Sequence, residues 1–571
     1  MCELAVSRGR MDGTISGITL LNRWHVVIGL ATHLMFSAVA YAQVPMTGVI
    51  SNPVATTNGM IITGFRDAPL IDQEGNIAVI AKVLSSGNQV DAVILRAKQS
   101  APLSSPIFST PQLFVMAVQN HTVSGLTDGA TIKDLQTMNL RNGRVGVLAT
   151  LQGANVTTNS DAAILATNLT GMTLRVREGD SDGIGGTLKG FTPPSFGQSG
   201  RMVFGAKLVA TEAEANEILQ EPAFAVNMCC TTVRVANGSQ APGIQTFAQF
   251  HSFGDLSEPI LVSSTNLLRF RGTLKQNAVP NGSEGIWSEL LNLIPPFRLR
   301  DRTGHIETPP IGPTLDVGHL ELLSANTKGD LICAVRSTES TGGVPHDAAL
   351  MRLAANGIQM MLARQNQAAT GVSDSATFDL SLPVPFTSGV NLNPQIRAAV
   401  NEFGSTAFVC FLKGGPSVPP FCCTGTNDCG LWVANPSGVV SLIARAGDTH
   451  SALPAGATMT SRFHLIGINS AETVVFTTGW NSVNGSGMAL WCWQPFGGIR
   501  LICRTGAQSP LHPSGFSTTG IAVGAGVNPS GGDDGRPLVL NDQGSLCFRI
   551  DDVSTVTGLH VSSVVTANLS Q

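Results

Sequence analysis

The chain is expected to be an all-β protein, a β-propeller built from four-stranded repeats. Three observations lead there. A turn-and-strand motif returns eight times at intervals of 57 to 75 residues, Gly (62) and Pro (31) are abundant, and only 13% of residues are charged. Many short strands joined by tight turns suit that composition, and long solvent-facing helices do not.

The motif is Asn-x-x-Gly-x-x-x-Phe, as in "VNEFGSTAFVC" (400–410) and "LNDQGSLCFRI" (540–550). Its anchor position falls at Gly75, Gly143, Gly200, Asn266, Gly329, Gly404, Glu472 and Gly544. The aromatic position is Phe204, Phe270, Phe408, Phe476 and Phe548 in five copies. Asn at the turn entry can hydrogen-bond the backbone ahead of it, and Gly accepts the positive φ that closes a tight turn. The strand that follows is apolar on both faces, so it is expected to be buried on both.

A second element follows each anchor, as in "GLWVANPSG" (430–438) and "ALWCWQPFGG" (489–498). A third comes next, as in "VVSLIARAGD" (439–448) and "IRLICRTGA" (499–507). These two read as a hairpin. A fourth strand precedes each anchor. The repeats begin with this fourth-strand element, near 58–66, and end after the third, so lending that N-terminal strand to the C-terminal unit would close a ring and protect sheet edges. Eight blades follow from the eight anchors. Seven blades plus an extra hairpin, or two smaller sets, are the alternatives. One stretch departs from the β pattern: "TEAEANEILQ" (211–220) pairs Thr211 with Glu214 as a capping box, which predicts a short helix.

Residues 1–42 read as a signal peptide. Arg8, Arg10 and Arg23 precede the apolar run 26–40, and Ala40-Tyr41-Ala42 is a small-x-small cleavage site before Gln43. The apolar run is short for a spanning helix, and no second one of that length follows. Residues 43–571 are therefore expected to form the repeat domain, secreted, periplasmic or at the cell surface, without stable membrane insertion. A net charge of −4 argues against a nucleic-acid partner.

The combination of N-x-x-G-x-x-x-F, G-[LI]-W and L-[IV]-A-R-x-G-[DA] resembles exported bacterial proteins made of tandem NxxGxxxF repeats. The resemblance spans nearly all of 43–571. It implies a secreted or surface β-repeat protein, and it brings no agreed activity and no catalytic residues.

Candidate site residues are few. The third strand tends to end in Arg, at Arg177, Arg302, Arg364, Arg445 and Arg504. Guanidinium groups repeated around a ring suit an anionic ligand. Acidic neighbours (Glu178, Asp180, Asp301, Asp448) point instead to local tethering of the loop. Asp180 and Asp182, before Gly183, have the close spacing of a calcium loop but lack its full ligand set. Asp533 and Asp534 in "GGDDGRP" read the same way. Ten cysteines follow the signal peptide, and disulfides are their expected use in an oxidising compartment. A two-residue turn at Gly497–Gly498 would set Cys492 opposite Cys503 and bridge them. No nucleophile-elbow, zincin or P-loop motif is present. The leading expectation is a non-catalytic binding, adhesion or surface-assembly module, without a cofactor, whose partner is a polysaccharide or a cell-surface protein. The alternatives are a polysaccharide hydrolase or lyase with its site in the central channel, and a calcium-stabilised adhesion module.

Overall fold

The structure is a computed structural model. It describes residues 44–98, 113–168, 171–182, 185–197, 201–209, 215–220, 232–236, 241, 249–252, 260–262, 267–276, 279–289, 297–302, 306–307, 315–337, 348–380, 396–414, 429–460, 463–512, 515–524, 529–531, 534 and 536–570. The signal-peptide expectation lies outside these residues. Among them every regular element is a strand.

Hydrogen bonding groups the strands into eight sheets of four to six strands. In chain order they cover 54–118, 131–177, 187–236, 249–302, 306–364, 377–445, 458–504 and 516–568. Each sheet contacts the next, and the eighth contacts the first. One unbroken series of sheets results, a β-propeller rather than two smaller sets. The blade count of eight expected from the anchors is not supported; the propeller arrangement itself is the finding. Met46–Ser51 pairs antiparallel with His560–Asn568 and is the outer strand of the eighth sheet. The two ends of the folded chain thus share one sheet and the ring closes, but through Met46–Ser51 in the outer place and not through the fourth-strand element near 58–66, whose strand Ile61–Phe65 stays in the first sheet.

The sequence elements explain the packing. The Phe of the motif and the Trp of the second element are directly opposed across neighbouring strands: Phe270 with Trp287, Phe408 with Trp432, Phe476 with Trp491. Phe408 and Trp432 stack with centroids 5.9 Å apart, and Phe270 and Trp287 at 5.7 Å. Such pairs contribute about 0.5–1.5 kcal/mol beyond the area they bury. The Gly two residues before the Trp is also explained. A Cβ on Gly430 would stand 2.5 Å from the Trp432 ring, so the indole needs a bare backbone to lie over.

The outer hairpins carry a regular bulge. The register slips by one residue between Leu431 and Trp432, and at the corresponding place in six other sheets, at Val93/Ile94, Ile164/Leu165, Ile218/Leu219, Ile286/Trp287, Leu350/Met351 and Leu490/Trp491. An extra residue increases local twist, which suits blades fanned about an axis.

The helix expected over 211–220 is not formed. Ala215–Gln220 is a strand paired with Met202–Val209 and Thr232–Ala236, while 211–214 lie outside the described residues. Ile218 and Leu219 point to opposite faces and both are buried. A helix this short gains too little to nucleate against such a ladder.

Candidate functional site

The motif Asn does more than shape its own turn. Its Oδ1 accepts the N–H four residues on: Asp330 on Asn326, Ser405 on Asn401, Thr473 on Asn469 and Ser545 on Asn541, each at 2.9 Å. Its Nδ2 donates to the carbonyl of the equivalent residue in the next sheet. Asn326 bonds Asn401 O (2.9 Å), Asn401 bonds Asn469 O (3.0 Å), Asn469 bonds Asn541 O (3.3 Å) and Asn541 bonds Asp72 O (3.2 Å). At Asp72 the sense reverses, because a carboxylate only accepts: its Oδ2 takes the Gly143 N–H at 2.7 Å. All five side chains are buried. This relay joins the fifth sheet through the eighth to the first and second.

The axis inside the relay is occupied by the chain itself. Ser530–Gly531 runs parallel to the inner strand His464–Ile468 of the seventh sheet. The backbones approach closely: a Cβ on Gly467 would be 2.5 Å from Ser530 O, and one on Gly531 would be 2.6 Å from Val400 O. Arg536 then donates to Leu323 O in the fifth sheet, and Leu538 O accepts the Ile71 N–H of the first at 2.9 Å. The segment therefore reaches four sheets before it rejoins the eighth.

Asp534 and Arg536 lie on this segment, and both are buried. Asp534 Oδ1 accepts the Arg536 N–H at 3.1 Å, while Oδ2 is 4.0 Å from Arg536 Nη1. Burial pushes the Asp534 carboxyl up to about 6, against the opposing pull of Arg536 and Arg141 and with Glu402 adding to the rise. Arg141 is itself buried, which lowers its pKa. Nearby, Arg397 on Arg397–Val400 meets the His464 ring on the next inner strand. Burial and then the Arg397 charge hold His464 down to about 4.

The five predicted arginines do not converge on this axis. Each belongs to the outer strand of a different sheet. Arg177 bonds Asp128 at 2.7 Å and Ser160 O at 2.7 Å. Arg445 bonds Asp374 at 2.8 Å. Asp128 and Asp374 hold the same place in the loops "SGLTDGAT" (124–131) and "TGVSDSAT" (370–377), each arriving from the preceding sheet. The nearer carboxylates serve the turn instead, since Asp180 and Asp448 accept the backbone N–H of Arg177 and Arg445, both at 2.7 Å. Arg504 has Ala455 where its carboxylate would stand, and it lies 5.8 Å from the Trp480 ring centroid. Arg364 ends its strand opposite Ala349. Arg302 ends its strand opposite Gly285, and its side chain lies outside the described residues.

Asp182 is buried, and its Oδ1 accepts the N–H groups of Gly185 (2.9 Å) and Gly186 (2.7 Å). Among the described residues no group of three or more His, Cys, Asp or Glu is placed to hold a metal ion.

The expected Cys492–Cys503 bridge is corrected. The hairpin closes on the pair Gln494–Gly498, with three residues in the loop rather than two, and the bulge adds a further slip. Cys492 consequently faces Arg500 and Cys503 faces Leu490, and both are unbridged thiols.

One polar cluster went unnoticed in the sequence. Asp552 is buried in the eighth sheet, where the same register holds Val83, Leu151, Leu412 and Trp480 in other repeats. It accepts the hydroxyls of Ser509 (2.6 Å) and Thr518 (2.9 Å), and His512 Nε2 is 3.7 Å away. Ser509 Oγ also accepts the N–H groups of Leu511 and His512 at 3.2 Å. Its proton is directed at the carboxylate and not at the imidazole, so this is no hydrolytic triad. Repeat alignment, column by column, would have flagged it.

These features define a β-propeller locked by a side-chain relay and filled along its axis by its own chain. The chain belongs to a family of unknown function (DUF7453), whose profile matches residues 44–294 and 343–567. No curated protein matches. Among solved structures it is similar to an acylaminoacyl peptidase from Pyrococcus horikoshii, with 8% identity, a TM-score of 0.34 and coverage of 77% of this chain. The chain spans about half of that peptidase, 52%. It is also similar to the polysaccharide lyase Uly1, with 9% identity, a TM-score of 0.33 and coverage of 89% of this chain and 100% of the lyase. A Penicillium chrysogenum alpha-L-arabinanase follows at 8% identity and a TM-score of 0.27, covering 69% and 99%. Likeness this distant says nothing of activity.

Proposed function

We propose that the chain is an exported, non-catalytic propeller that binds or assembles through its turns and loops. The observation that carries this reading is the axial segment: Ser530–Gly531, Arg536 and Leu538 stand where a channel site would need room for substrate. The export reading rests on the N-terminal leader.

The face that carries the relay also offers a contact surface. Ile358, Phe403, Val439 and Phe496 are exposed, and all stand in turns at that end of the fifth, sixth and seventh sheets. Exposed apolar side chains gathered on one face mark a binding surface more than scattered ones do. A polysaccharide or a cell-surface protein is the partner class. The test is retention of residues 43–571 on immobilised bacterial and algal polysaccharides and on intact cells, for the natural chain and for Phe403→Ser with Val439→Ser. Retention that the double variant loses supports the reading, and no retention on any surface overturns it.

A further inference from the structure

Arg504 keeps its place in the repeat, yet both acids that accompany its counterparts are missing. In the second and sixth sheets the equivalent arginines bond a carboxylate from the loop ahead, Arg177 to Asp128 at 2.7 Å and Arg445 to Asp374 at 2.8 Å. The seventh sheet folds the same loop. The Leu453 N–H donates to His450 O, as Leu126 donates to Val123 O and Val372 to Ala369 O. That turn sets Ala455 in the place of Asp128 and Asp374. A backbone donor has been reassigned with it. Ala130 and Ala376 give their N–H groups to the two carboxylates, whereas Ala457 gives its N–H to Pro454 O at 2.9 Å. The second acid is gone as well: Asp180 and Asp448, three residues after their arginines, correspond to Ala507.

The guanidinium that remains is held but little used. Among the described residues its hydrogen bonding amounts to Nη1 donating to Thr505 O at 3.4 Å. It lies over Trp480, 5.8 Å from the ring centroid. The register that Trp480 fills holds Val83, Leu151, Leu208, Leu274 and Leu412 in five repeats, and Ser337 and Asp552 in the other two. Gly487, directly opposite, makes room for the indole, since a Cβ there would stand 2.9 Å from Trp480 Nε1. Trp480 is buried, so it is a wall for the guanidinium and not a surface for a ligand. A cation laid on an indole face is oriented by the ring, and its edge, where the N–H donors lie, is left for another partner. Arg504 is partly exposed and Ala455 is exposed, so the vacated place opens to solvent. Ser451, Gly456 and Gly506 around it are exposed too, and all are small.

We propose that Arg504 binds a carboxylate from outside the chain, in the place that Asp128 and Asp374 fill in their own sheets, and that a uronate unit of an acidic polysaccharide supplies it. The planar fork of Arg matches the two oxygens of a carboxylate, and the small exposed residues leave room for the sugar ring that carries it. Gly498–Arg504 starts at the relay end of its sheet. Arg504 therefore stands at the opposite end from the apolar turns proposed above, and the two sites are independent.

The experiment is affinity electrophoresis of the whole chain through gels containing polygalacturonate or its methyl ester, at fixed ionic strength. Three variants accompany it. Arg504→Met removes the cation. Ala455→Asp supplies the missing carboxylate from within, as a built-in competitor, and is expected to melt no lower than the natural chain. Asn58→Asp adds the same charge in an exposed turn of the first sheet. The natural chain is expected to be retarded by polygalacturonate and not by the ester. Arg504→Met and Ala455→Asp should each weaken binding by about threefold or more, the size of one partly screened ion pair, while Asn58→Asp leaves it unchanged. Displacement by sodium galacturonate but not by sodium acetate assigns the uronate unit; equal displacement by both keeps the carboxylate site and overturns the sugar. No retardation, equal retardation by the ester, or equal binding by the natural chain and Arg504→Met overturns the site. So does a loss in Ala455→Asp no larger than that in Asn58→Asp.

Discussion

Asn541 donates its side-chain amide to the backbone carbonyl of Asp72 at 3.2 Å, across 469 positions of sequence. The contact is the closing link of the Asn relay. It binds the eighth sheet, which the two chain ends share, to the first. Asn is needed because one side chain must accept within its own turn and donate to the next.

Replacing Asn401 with Asp keeps the acceptor and removes the donor. Asn401→Asp is expected to cost about 1–3 kcal/mol, since it leaves the buried Asn469 carbonyl without its partner and adds a buried charge. Chemical denaturation of the two proteins reads the difference. A cost equal to that of Glu402→Gln, in the same turn, would show that the relay contributes nothing.

Asp534 gives the fold a pH dependence of defined sign. Its folded pKa of about 6 stands above the ordinary carboxylate value, so its contribution is fully present below pH ~4 and is lost as pH rises through 6. Asp534→Asn should therefore be more stable than the natural chain at pH 8, by up to about 3 kcal/mol, and nearly level with it at pH 4. Melting curves from pH 4 to 8 check this. An advantage for the variant that does not grow with pH contradicts the burial of an uncompensated carboxyl.

The loop ties are expected to rank by their partners. The hydrogen bond from Arg445 holds the Asp374 carboxyl below its usual range, so that tie is present above pH ~4 and lost as pH falls through the lowered value. Arg445→Met should lower Tm at pH 7 more than Arg504→Met does, because Ala455 offers Arg504 no carboxylate. Both residues of the pair are partly open to solvent screening, so the Arg445–Asp374 coupling in a double-mutant cycle should be no more than about 1 kcal/mol. Equal losses at the two arginines would remove the tie.

Asp180 caps the Arg177 turn through the backbone. Asp180→Ala is accordingly expected to lower Tm by the same amount in calcium and in chelator. A loss seen only in calcium would restore the calcium-loop reading.

What the sequence revealed follows from what repeats. Asn, Gly, Phe and Trp recur, so the turns, the strands and a ring closed between the two chain ends were legible; that Met46–Ser51 closes it, and not the strand near 58–66, was not. The relay was not, because its partners are equivalent residues in neighbouring units, some 70 positions apart. The same holds for Arg177 and Arg445: their carboxylates, Asp128 and Asp374, come from the preceding loop and not from the adjacent acids. Cys492 and Cys503 were misplaced because register depends on loop length and bulges, and a single slip moves every partner. Asp552 is a departure from the repeat, visible only once the repeats are laid in register.

The central claim is that this propeller binds without cutting. The most direct measurement incubates residues 43–571 with each retained polysaccharide and follows new reducing ends and new unsaturated ends over time. The account predicts neither kind above the protein-free control. Either kind, rising in proportion to protein, would contradict it and place a hydrolase or lyase site on this fold.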